Sequence, residues 1–125
     1  MEIHRGHLDM SVVGSPDRVV IHLRGEMDAM GRLSFRDQIR SMLGRGGSEV
    51  VVEVEDLNTI DIPGLASLLR ADLLLRGVHS HLFVTGARPA FVELIRSTGL
   101  EGRLHVEPVA SAPVGGNGNG RRWPS

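Results

Sequence analysis

Apolar and polar positions alternate along "RVVIHLRG" (18–25), with Val19, Ile21 and Leu23 on one side and Val20, His22 and Arg24 on the other. A period of two marks a half-buried strand. "HLDMSVVG" (7–14) alternates more loosely, and "SPD" (15–17) supplies a turn, so the two segments predict a hairpin. The period then changes. Met30, Leu33, Ile39, Met42 and Leu43 recur at helical spacing within 30–47, and Gly44 and Gly46-Gly47 provide the stop. "EVVVEV" (49–54) is β-branched and almost continuously apolar, which predicts a parallel strand covered on both faces. Leu65, Leu68, Leu69, Asp72, Leu73 and Arg76 return to helical spacing up to Gly77. "HLFVTG" (81–86) predicts a strand, "RPAFVELIRSTG" (88–99) a helix with Phe91, Leu94 and Ile95 on one side, and "RLHVEP" (103–108) a short last strand.

The element order is therefore ββαβαβαβ. A helix between each pair of later strands implies right-handed crossovers and parallel pairing, which makes an α/β fold with a mixed sheet of four to five strands. The "EVVVEV" strand is expected near the sheet centre. The domain is expected to span 1–110. Beyond it, "SAPVGGNGNGRRWPS" (111–125) is rich in Gly, Asn and Pro and is expected to be disordered.

Composition narrows the function classes. With 125 residues the chain holds one domain, and 14 basic against 15 acidic residues leave no net field to draw nucleic acid or an anionic membrane. Three Phe, one Trp and no Tyr offer few platforms for stacking bases. With no cysteine there is no disulfide or thiolate chemistry. The start "MEIHRGHLDM" lacks an apolar core, and the longest apolar runs are far short of the ~20 residues of a membrane span. Neither a signal peptide nor direct membrane insertion is expected, and the composition is compatible with a cytoplasmic protein.

The most informative stretch is "LNTIDIPGLASLL" (57–69), where an apolar strand ends and a helix begins. Sites in open α/β sheets gather at the carboxyl ends of strands. Asp61 is placed to accept from unpaired N–H groups of the helix start as an N-cap. Pro63 fits the first turn, where its missing N–H is no loss. Gly64, without a Cβ, allows a close approach. These three residues are read either as a structural turn or as a recognition surface at a positive helix end.

Three motifs in order carry a family resemblance. "VVIHLRGEMD" is followed, about 20 residues of helix and loop later, by "EVVVEVEDLNTIDIPGLASLL", and then by "HLFVTGARPAFVELIRSTGL". Together they resemble the STAS domain of bacterial anti-sigma-factor antagonists over roughly 8–108. Gly25-Glu26-Met27-Asp28 match that family's G-E-L-D turn, and Asp61-Ile62-Pro63-Gly64-Leu65 match its D-S-S-G-L. The resemblance implies helices mainly on one face of the sheet and no catalytic activity or cofactor. It also implies a protein partner, an anti-sigma factor that is a serine kinase of the ATPase type, which phosphorylates the serine before the glycine and so releases the antagonist. It implies a contact centre of Asp61, Ile62, Pro63, Gly64 and Leu65, with Glu26, Asp28 and Thr59 beside it. A weak homodimer stays open.

The sequence departs from the pattern at the switch. The acceptor position is Pro63 and its neighbour is Ile62, and neither carries a hydroxyl. Thr59, on the strand-to-helix loop, and Ser67, one turn into the helix, are the nearby hydroxyls, with Thr59 the first substitute. Other constellations are weak. His79-x-His81 lacks a third metal ligand, so no metal is expected. "GRGGS" (44–48) resembles a phosphate loop but precedes a strand instead of following one. There is no G-x-S-x-G, and an enzyme is not expected. The expected function is a cytoplasmic protein-interaction module that binds an anti-sigma kinase without the usual phosphoserine switch. The alternatives are a STAS subunit beside a lipid-transport ABC system, where that serine is often absent too, and a domain sensing a small molecule or nucleotide at the same helix end.

Overall fold

The computed structural model describes residues 1–109, so the expected tail lies outside the described residues. The chain runs β1 (Glu2–Arg5), β2 (Leu8–Gly14), β3 (Arg18–Glu26), α1 (Ala29–Met42), β4 (Glu49–Thr59), α2 (Ile62–Arg76), β5 (His81–Ala87), α3 (Pro89–Thr98), β6 (His105–Pro108). One six-stranded sheet has the strands in chain order. β1, β2 and β3 pair antiparallel, and β3, β4, β5 and β6 pair parallel. Every helical crossover steps in the same direction along the sheet, so right-handed connections put all three helices on one face.

Alternation decides which side chains meet the helices. Val19, Ile21 and Leu23 of β3, Val50, Val52 and Val54 of β4, and Leu82 and Val84 of β5 are buried in one core with Phe35, Ile39, Leu68, Leu75, Phe91 and Ile95. On the opposite face Val20, Val51 and Phe83 stand in register across the three central strands, followed by His22, Glu53 and Thr85. The apolar run of β4 was expected to be covered by elements on both faces. Among the described residues, helices cover only one.

The sheet has six strands where four to five were expected. β1 reads "EIHR", an exposed edge strand whose one apolar residue, Ile3, is half-buried, and no periodicity announces it. It folds back on β2 through Gly6 and His7, with Gly6 at φ +59° supplying the left-handed residue of the two-residue turn. β4 also runs on to Thr59, five residues past its expected end. The α1 stripe differs as well. Phe35 and Ile39 are fully buried, whereas Met30 and Leu33, expected on the apolar side, are 54% and 48% exposed.

Candidate functional site

β3 and β4 are parallel neighbours, and Glu26 and Thr59 at their carboxyl ends are register partners. Thr59 is therefore the last residue of a strand and not part of a loop. Each strand passes directly into a helix, so the starts of α1 and α2 open at the same edge of the sheet. Both are capped by aspartate: an Asp28 oxygen accepts from the Gly31 N–H and an Asp61 oxygen from the Gly64 N–H, each at 2.9 Å. The sequence rule for N-caps holds at both places.

The two caps differ in what else they hold. The second oxygen of Asp28 accepts the His7 N–H at 3.0 Å and lies 2.9 Å from His7 Nδ1, which fastens the β1–β2 turn to the start of α1. The Gly31 N–H holds the Asp28 carboxyl below its usual range; partial desolvation opposes this and the His7 bonds add to it. Gly25 of the same turn has φ +99°, and a Cβ there would lie 2.2 Å from the His7 carbonyl oxygen. The "GEMD" turn is thus built around His7, which no sequence signal singled out. Met27 is buried in the core and Glu26 is exposed, its N–H donating to the His7 carbonyl.

At α2 the Asp61 carboxylate has, among the described residues, the Gly64 N–H as its one hydrogen bond, while its backbone carbonyl accepts from Leu65. Ile62 is the first helical residue and 55% exposed, and Pro63 follows, also exposed. Gly64 is buried beneath the Ile60 side chain, and Leu65 is 2% exposed. Of the residues grouped by sequence, the fold therefore presents Glu26, Thr59, Asp61, Ile62 and Pro63 to solvent. Asp28, Gly64 and Leu65 hold the turns in place. Ser67 is half-buried on the side of α2 that faces α1.

Two further features belong to this edge. Met30 and Leu33 add exposed apolar surface in the first turns of α1, as Ile62 does at the start of α2. A shallow hollow lined by Asn58, Thr59, Ile60 and Arg88 extends the surface to the start of α3, where Arg88 Nε donates to the Glu55 carbonyl at 2.9 Å. Away from the edge, His22 lies between two carboxylates, 2.9 Å from Glu53 and 2.8 Å from Asp56. Among the described residues no cluster of three His, Asp or Glu side chains is arranged to hold a metal ion. The "GRGGS" loop lies at the opposite, amino end of β4 and is tied by the Gly47 N–H to the Val78 carbonyl.

A six-stranded sheet of this order, with an aspartate-capped helix start after β4, can be set against known proteins. A family model described as the Mlab STAS domain matches residues 10–108. The chain belongs to the STAS domain family. Solved STAS structures share the fold at low identity. SpoIIAA, an anti-sigma factor antagonist in its unphosphorylated form, is 20% identical with a TM-score of 0.67, over 78% of this chain and 86% of that one. An antagonist from Mycobacterium paratuberculosis is 19% identical with a TM-score of 0.69, over 81% and 86%. The murine anion transporter Slc26a9 contains the fold within a much longer chain, at 16% identity and a TM-score of 0.61, over 74% of this chain and 16% of that one. Among curated proteins, none matches significantly. No helix among the described residues is long and apolar enough to cross a membrane.

Proposed function

We propose that this STAS domain is a non-catalytic interaction module that docks the start of α2 onto the ATPase-type kinase domain of an anti-sigma factor in the cytoplasm, and that it lacks the phosphoserine switch. The observation that carries this reading is the first turn of α2. Ile62 and Pro63 stand exposed beside the singly bonded Asp61 carboxylate, and neither can accept a phosphoryl group. Proline also removes one orphan donor and stiffens the turn, so less order is lost on binding. In a chain with serine at position 63, phosphorylation would add about −1.5 to −2 charges where the partner meets the helix. With Pro63 the helix end keeps its binding-competent form, and control passes to abundance, to competition or to another hydroxyl, Thr59 first.

Affinity purification of the full chain from its native host, followed by mass spectrometry, is expected to recover an ATPase-type anti-sigma kinase. Binding to that kinase should persist when ATP is added, with no added phosphate in the intact mass. Pro63→Ser is expected to gain both phosphorylation at position 63 and ATP-dependent release. Phosphate on Thr59 or Ser67 that weakens binding would overturn the switchless reading.

A second reading, a STAS subunit beside a lipid-transport ABC system, is favoured by the missing hydroxyls at 62 and 63; in Slc26a9 the fold occurs within a transporter chain itself. Recovery of a permease and its ATPase instead of a kinase would establish it.

A further inference from the structure

α1 and α2 leave a groove between them of about 570 Å³ that runs from Ala29 at the start of α1 to Arg40 near its end. On α1 it is lined by Arg32, Leu33, Arg36 and Arg40, and on α2 by Arg70 and Leu74, with the exposed Leu73 on its rim. Arginines four residues apart share one face, so Arg32, Arg36 and Arg40 form a row of about 12 Å along the helix. Little acid answers them. Arg32 Nη1 donates to the Met27 carbonyl, Arg36 meets Asp37 at 3.4 Å on the exposed surface, and Arg40 and Arg70 have no ion pair among the described residues. Four cations surround an apolar trough, and among the described residues only Arg36 meets a carboxylate, so the surface is complementary to an amphipathic anion.

We propose that the α1–α2 groove is a docking site for an acidic amphipathic helix of a protein partner, separate from the contact at the start of α2. The row of charges decides between ligand chemistries. A fatty acid brings one carboxylate and neutralises one arginine. A helix with Glu or Asp at every fourth position brings a carboxylate row of matching pitch, while its Leu-type residues cover Leu33, Leu73 and Leu74. This chain does not supply such a helix to a second copy, because α1, α2 and α3 each carry a single acid, Asp37, Asp72 and Glu93.

The probe is a fluorescent synthetic helix of about five turns with Glu at three positions four apart and Leu on the same face. It is expected to bind the full chain saturably, weaken with added salt, and perturb amides of 29–40 and 67–74. A Gln-for-Glu peptide should bind about tenfold more weakly, and so should the Glu peptide on R36E/R40E. A Lys-for-Glu peptide should regain affinity for R36E/R40E, which separates charge reading from misfolding. Ile62→Arg should leave all of this unchanged, so this proposal and the kinase-docking reading fail separately. Absence of saturable binding, or equal binding of the Glu and Gln peptides, overturns the proposal. So does perturbation of the same amides by oleate or phosphatidylglycerol vesicles but not by the peptide.

Discussion

The starts of α1 and α2 are built alike and used differently. Both follow adjacent parallel strands, and both are capped by an aspartate that bonds the N–H of a glycine three residues on. At α1 the carboxylate also holds the β1–β2 turn through His7, and Gly31 packs so closely that a Cβ would lie 2.7 Å from Leu8 Cβ. Among the described residues the α2 carboxylate has one internal bond, and a Cβ on Gly64 would lie 3.0 Å from Ile60 Cγ1 and 3.2 Å from the capping Asp61 oxygen, looser than at Gly31. The same cap chemistry thus serves as a lock in one place and as an open surface in the other. What separates them is the number of internal partners, which residue type does not reveal.

Substitutions can sharpen or break this contrast. The largest effect is expected within α2 itself: Leu65→Ala, in the core, should lose about 2–5 kcal/mol, whereas Ile62→Ala on the surface should stay within about 0.5 kcal/mol, both read by denaturant melts. Gly31→Ala comes next. Overpacking against Leu8 should cost about 1–3 kcal/mol, offset by up to about 1 kcal/mol of helix propensity. Gly64→Ala should cost less than Gly31→Ala, and an equal or larger loss there would show that the start of α2 is locked too. Thermal melts should then show a larger fall for Asp28→Ala than for Asp61→Ala, for which about 1 kcal/mol is the usual loss of a cap. Equal falls would remove the distinction.

The smallest effect is in pH dependence. The Asp28 carboxyl titrates below its unfolded value of about 4, so its contribution is present above that value and lost as pH falls through the lowered folded one. Asp28→Asn should therefore make the acid side of the Tm profile shallower. An unchanged slope would show that other carboxylates, such as Asp9 with its His4 partner, govern acid sensitivity.

The hairpin, the three helices and the parallel strands were legible from alternation, helical spacing or a continuous β-branched run, set off by Gly or Pro. β1 was not, since an edge strand with one half-buried side chain writes no pattern. The exposure of Met30 and Leu33 was hidden for a related reason: helical spacing shows that apolar residues share a side but not where the packed stripe ends. At the site, the Asp61 cap and the lost acceptor at Pro63 could be read from residue type and position, whereas the Asp28 cap was not read and emerges from the fold. The burial of Gly64 and Leu65, the tie of Asp28 to His7, and the arginine row facing α2 depend on contacts between distant segments and appear only in three dimensions.

The central claim is that the exposed first turn of α2 makes the partner contact and does little else. The most direct measurement pairs the melting temperature of Ile62→Arg with its affinity for the co-purified kinase domain, each against wild type. The account expects a Tm within about 2 °C of wild type and binding weakened about tenfold or more. Unchanged binding by a folded Ile62→Arg variant would contradict it.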